Sequence, residues 1–147
     1  MYLKALSLKN FRNYERIELE FNKDFNILYG FNGQGKTNIL EAIFVCASGR
    51  SHRTSKDMEL IRFDGNEYNI KADVKRTDSS VTIEIIYEKN TKKKIRLNGI
   101  PVKKVGSLMG NLNAVMFSPE DLMTIKEGPS ERRRFIDITM SQLKPSY

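Results

Sequence analysis

Residues Gly30 to Thr37 read Gly-Phe-Asn-Gly-Gln-Gly-Lys-Thr: Gly30, four residues, then Gly35-Lys36-Thr37. Residue types at this spacing suit one chemistry, the grip of nucleotide phosphates. Gly30, Gly33 and Gly35 permit positive φ and a close backbone approach with no Cβ in the way. The successive N–H groups of this stretch, through Phe31, Asn32 and Gln34, then form an inward-facing nest for an anion. Lys36 adds a mobile positive charge for the outer phosphates and is the candidate catalytic residue. The Thr37 hydroxyl is a candidate ligand for a Mg2+ ion bridging two phosphates. A helix starting here, with Asn38 in its first turn, adds unpaired N–H groups and a positive dipole end.

The motif requires a strand before it and a helix after it. Phe25-Asn26-Ile27-Leu28-Tyr29 is a short β-prone run leading in. Ile39, Leu40, Ile43, Phe44 and Ala47 follow at helical spacing, predicting a helix from about Lys36 to Ala47. Two further strands are expected ahead of the loop. Tyr2–Lys9 is one, and Arg16–Phe21 is the other, with Ile17, Leu19 and Phe21 inward and a turn over Asn10–Glu15. A polar loop spans Ser48–Ser55, and a short helix is expected over Lys56–Phe63. Tyr68, Ile70, Ala72 and Val74 alternate, as do Val81, Ile83, Ile85 and Tyr87, predicting two antiparallel strands. Asn98-Gly99 predicts a tight hairpin between Lys94–Leu97 and Ile100–Val102. Asn113–Phe117 reads as a buried central strand. Helices are expected after Ser118-Pro119 and after Ser130.

Composition narrows the class. The 147 residues are 39% hydrophobic and 29% charged, ordinary for a soluble domain. No apolar run reaches the roughly 18 residues of a membrane span, and no signal peptide pattern is present, so a cytoplasmic protein is expected. Cys46 is the single cysteine and His52 the single histidine, which argues against a disulfide or a zinc site. Cys46 reads as a core thiol. The net charge is +7. Lys89, Lys92, Lys93, Lys94, Arg96, Lys103 and Lys104 lie between Lys89 and Val105 with no acidic residue among them. The rest of the chain balances 18 basic against 18 acidic residues. The excess therefore sits on one hairpin, either a polyanion-binding surface or a lysine-protected sheet edge. Lys92, Lys93, Lys94, Arg96, Lys103 and Lys104 are the candidate DNA-binding residues, with backbone phosphates the better target because aromatic interleaving is scarce.

Several separated motifs resemble one family. Asn10-Phe11-Arg12-Asn13-Tyr14 and Gly30–Ile43 are similar to the N-terminal lobe of SMC-type, ABC-like ATP-binding heads. Gly49-Arg50-Ser51-His52-Arg53-Thr54, Phe117–Leu122 and Gly128–Asp137 resemble the RecF family of bacterial recombination mediators. The resemblance implies an α/β P-loop NTPase lobe with a mixed sheet and an antiparallel β-rich subdomain. It implies ATP with Mg2+ as ligand and ATP-dependent homodimerisation. It also implies DNA binding at single-strand gaps and junctions, and recruitment of RecR for recombinase loading in DNA repair, replication and the SOS response. Arg12 and Asn13 resemble residues that approach the nucleotide in such heads. Arg50, His52 and Arg53 could meet DNA, nucleotide or a second subunit, or form a plain loop.

Some expected parts are missing. An ATPase of this class needs a run of apolar residues ending in Asp-Glu for Mg2+ and water. No such run occurs, and no serine-glycine signature loop. The resemblance places both after a helical arm, so residues 1–147 read as an N-terminal lobe without the arm and C-terminal lobe. Such a lobe is expected to bind nucleotide weakly and hydrolyse it negligibly. Where many ABC heads carry a glutamine, this chain has Ser118-Pro119-Glu120-Asp121, and Glu120 or Asp121 could stand in for it or only cap a helix. The alternatives are a P-loop kinase, or a binding lobe whose nucleotide only stabilises structure. Kinases usually place the loop after their first strand, and the two strands ahead of it here argue against one.

Overall fold

The computed structural model describes residues 1–117 and, each in helical conformation, Arg133, Ile136, Asp137 and Met140. β1 (Tyr2–Phe11) and β2 (Tyr14–Glu20) form a hairpin, followed by α1 (Lys36–Ser48). A 3-10 turn over Asp57–Leu60 leads to β3 (Glu67–Lys75) and β4 (Ser80–Glu88). β5 (Lys94–Leu97) and β6 (Ile100–Val102) complete one six-stranded sheet, ordered β2-β1-β3-β4-β5-β6. Every neighbouring pair is antiparallel.

Period-two patterning sets the faces of this sheet. Leu6, Leu8, Tyr68, Ile70, Ala72, Val74, Val81, Ile83, Ile85 and Ile95 are buried on one side. α1 lies on that side and buries Ile39, Ala42, Val45, Cys46 and Ala47 in the same core. Burial pushes the Cys46 thiol up to about 12, so it is an inert core group. The tight turn at Asn98-Gly99 behaves as its residues require. Asn98 and Gly99 both take positive φ, 51° and 80°, as a type I′ turn demands.

Four expectations are corrected. Phe25–Tyr29 is not a strand, and Phe25, Ile27 and Tyr29 are mostly exposed. It pairs with no strand of the described sheet. Local bonds take over instead: the Asn26 side chain accepts from the Asn22 N–H (2.7 Å) and donates to its carbonyl (2.9 Å). Asn113–Phe117 is likewise irregular, with Val115 and Phe117 exposed. The described strands form one antiparallel sheet, the expected β-rich part of the lobe. The Lys56–Phe63 helix shrinks to Asp57–Leu60, because the next residues pair with the end of β1. Ile61 bridges Phe11, and the Arg62 N–H donates to the Asn10 carbonyl (2.8 Å). The turn between β1 and β2 is only Arg12-Asn13, since Phe11 already pairs with Tyr14.

The apolar face expected on α1 is also only half of it. Leu40 is exposed, and it and Ile43 line a cavity of about 530 Å³ with Leu3, Phe21, Leu28 and Leu112. The helix is apolar on two sides, one against the sheet and one against this groove. The helix expected after Ser118 lies outside the described residues, as do Glu120, Asp121, Arg132 and Arg134. Among the described residues, no helix is long and apolar enough to cross a membrane.

Candidate functional site

The phosphate loop ends directly in α1. Gly30, Gly33 and Gly35 all have positive φ, at 145°, 80° and 100°. Gly35 is the N-cap of α1 in the left-handed region, with no side chain capping the helix and no acidic residue in its first turn. The Asn38 and Ile39 N–H groups close onto the Gly35 carbonyl (2.9 and 3.1 Å). Lys36 Nζ donates to the carbonyls of Gly30 (2.8 Å) and Phe31 (2.7 Å), so its charge lies across the loop mouth. The Phe31 N–H donates to Gln34 Oε1 (3.2 Å). A lysine at the positive end of a helix dipole is unfavourable alone, and an anion beside it offsets that cost. The set fits nucleotide phosphates. Backbone amides and one ammonium converge at an uncapped helix start, and the exposed Thr37 hydroxyl offers the hard oxygen that Mg2+ prefers.

The turn between β1 and β2 supports this loop. A Cβ on Gly35 would stand 2.7 Å from the Asn13 amide and from Tyr14 Oη, so the turn leaves room only for glycine. Asn38 Nδ2 donates to Asn13 Oδ1 (2.8 Å). Asn13, expected from resemblance to approach the nucleotide, thus sits at the loop.

Arg12 is placed differently. Its Nε and Nη2 donate to the two Glu41 carboxylate oxygens (2.9 and 2.7 Å), and its Nη1 donates to the Glu59 carbonyl (2.9 Å). The Glu41 side chain is fully buried. Ser51 Oγ donates to it (2.5 Å), and Arg53 Nη1 lies 3.5 Å away. Burial alone would raise the Glu41 pKa. The Arg12 and Ser51 hydrogen bonds, with the charges of Arg12 and Arg53, outweigh it and hold the carboxyl below its usual range. Arg53 Nη1 also donates to Asn38 Oδ1 (3.1 Å), bringing the Gly49–Thr54 loop back to the first turn of α1. Arg50 is exposed, and His52 packs edge-on against Phe44. Sequence reasoning does not single out Glu41, Ser51 or Tyr14. The available signal for Glu41 is a lone acid among the apolar residues of α1.

The basic hairpin divides into two groups. Lys93 Nζ meets Asp57 Oδ1 (2.6 Å) and donates to the Gly49 carbonyl at the end of α1 (2.7 Å), with its side chain 12% exposed. Arg96 pairs with Glu84 (3.2 Å). Lys89 Nζ reaches Asn66 Oδ1 at 3.5 Å. Lys92, Lys94, Lys103 and Lys104 are exposed and form no ion pair among the described residues. The β5–β6 pairing ends at Ile95–Val102, and Lys94 and Lys103 are the next residues on the two chains.

Known proteins match this arrangement along its length. The family described as "AAA domain" matches residues 5–144. The DNA replication and repair protein RecF of Acetivibrio thermocellus is 60% identical over 147 residues, covering 100% of this chain and 40% of that protein. RecF of Ruminiclostridium cellulolyticum is 59% identical over 148 residues, with the same coverage. The chain thus spans about 40% of the length of the curated relatives it matches. The solved structure of the recombination mediator RecF with ATP, in the RecFOR pathway, superimposes with TM-score 0.94 at 42% identity. It covers 99% of this chain and 39% of that one. A solved structure described under ATP-driven dimerization and DNA-stimulated activation of SMC ATPases superimposes over 94% of this chain and 99% of its own, with TM-score 0.74 at 23% identity, a likeness of fold alone. The matches run along the whole described fold, and the chain belongs to the AAA-domain family, similar in sequence and fold to the N-terminal part of RecF proteins.

Proposed function

We propose that this chain is the nucleotide-binding lobe of an ATP-gated DNA-binding recombination mediator. The observation that carries the reading is the Gly30–Thr37 loop, shaped by positive-φ glycines and opening into the uncapped start of α1. In this reading the loop amides and Lys36 hold the β- and γ-phosphates, and Thr37 faces the Mg2+ that neutralises them. The lobe supplies one half of a composite site, and a second head closes over the nucleotide to form the homodimer. The similarity to RecF proteins supports DNA binding at single-strand gaps and junctions, and recruitment of RecR in repair, replication and the SOS response. Lys92, Lys94, Lys103 and Lys104 serve as phosphate contacts, and Lys93 and Arg96 support the hairpin that presents them. Two strands, β1 and β2, precede the loop, and every neighbouring pair in the described sheet is antiparallel, which favours this reading over a P-loop kinase.

The test is equilibrium binding of labelled ATP to the chain and to Lys36→Ala. The chain is expected to bind weakly and Lys36→Ala to lose at least about tenfold in affinity, the scale of a charge-assisted bond to phosphate. Equal affinity of the two proteins would refute a phosphate role for this loop.

A further inference from the structure

We infer that Tyr14 is a positioning residue that aims the Gly35 N–H into the phosphate loop; the inference rests on the nucleotide-binding reading above. Tyr14 begins β2, directly after the Arg12-Asn13 turn, and its register is fixed by pairing with Phe11. From there Tyr14 Oη donates to the Gln34 carbonyl (3.2 Å). That carbonyl and the Gly35 N–H belong to one peptide plane. In a trans peptide the two groups point in opposite directions. A donor that holds the Gln34 carbonyl outward, toward the β1–β2 hairpin, therefore turns the Gly35 N–H the other way, into the loop.

Two further observations fix the same peptide. Gly35 has φ 100°, and a Cβ there would lie 2.7 Å from Tyr14 Oη and from the Asn13 amide, so the hairpin presses directly on this glycine. Glycine is also the residue whose flanking peptide turns most freely, so a local restraint matters most here. The loop's other restraints act elsewhere: Lys36 Nζ holds the Gly30 and Phe31 carbonyls, and Gln34 Oε1 holds the Phe31 N–H. None of these bonds engages the Gln34 carbonyl. Burial raises the Tyr14 phenol above its ordinary value, which keeps it a proton donor across the working range.

The substitution Tyr14→Phe removes the hydroxyl and keeps the ring. Three proteins are compared: the unsubstituted chain, Tyr14→Phe and Lys36→Ala. Each is assayed for ATP affinity, thermal midpoint and the ¹⁵N–¹H resonance of Gly35. Tyr14→Phe should weaken ATP binding by roughly twofold to tenfold, the range of one neutral hydrogen bond. It should shift the Gly35 amide resonance and leave the thermal midpoint nearly unchanged. A role confined to stability would instead lower the midpoint at constant affinity, and that result overturns the inference. An unmoved Gly35 resonance overturns it as well. If the unsubstituted chain and Lys36→Ala bind ATP alike, the nucleotide reading itself has failed. The Gly35 resonance then still shows whether Tyr14 sets this peptide.

Discussion

Arg12→Ala is expected to destabilise the fold more than it alters any contact with nucleotide. The guanidinium makes a bidentate pair with a carboxylate that is fully buried, at 2.7 and 2.9 Å, and is itself only 20% exposed. Removing one partner of such a pair costs about 3–5 kcal/mol, because a charge is left buried without its counter-charge. Ser51 and Arg53 still reach Glu41, so the low end applies, about 3 kcal/mol. For a domain of this size that is a fall of about 6–12 °C in thermal midpoint. Circular dichroism melts and urea titrations measure both quantities. The pH dependence gives a second check. Folding lowers the Glu41 pKa, so its contribution is complete above the ordinary glutamate value and is lost as pH falls through the folded-state value. The gap between parent and variant should therefore narrow in acid. A loss under about 1 kcal/mol at neutral pH, the level of an exposed pair, would refute the reasoning.

Two other substitutions separate the basic residues of the hairpin. Charge reversal of Lys92, Lys94 and Lys103 should weaken DNA binding and flatten its salt dependence by roughly one unit of log–log slope for each phosphate that is no longer neutralised. An unchanged slope in a fluorescence anisotropy titration would remove this surface from the DNA path. Lys93→Met should leave that slope alone and cost about 1.5–3 kcal/mol of stability, the worth of its charged hydrogen bonds to Asp57 and Gly49. A Lys93→Met protein as stable as its parent would show that the tie is not formed in solution.

How much of this was legible in the sequence follows from how local each signal is. The hairpin at Asn98-Gly99, the alternation of β3 and β4, and the loop-to-helix boundary at Lys36 all depend on residues near one another in the chain. All three formed where expected. Phe25–Tyr29 and Asn113–Phe117 have strand-like composition, but a strand also needs a neighbour to bond with. Composition does not report whether one is present. The same limit applies to Arg12. Its motif resembles residues that approach a nucleotide, and its ion-pair partner Glu41, 29 residues away, was hidden inside an apolar helix pattern.

The charge count on the hairpin carries the same lesson with a functional edge. Seven basic residues without an acid between Lys89 and Val105 suggested either a polyanion-binding surface or a lysine-protected sheet edge. Folding brings Asp57 to Lys93 and Glu84 to Arg96, so two of those charges are answered from other elements. Lys93 also donates to the carbonyl of Gly49, the residue that ends the phosphate-loop helix. One end of α1 is therefore braced by the turn that shapes the phosphate loop, and the other is bonded to the hairpin that presents the free lysines. Lys93, a candidate DNA contact by sequence, also joins the hairpin to the end of α1. Lys92, Lys94, Lys103 and Lys104 are the exposed lysines without an ion pair among the described residues, and they are the charges that the proposed polyanion surface would use.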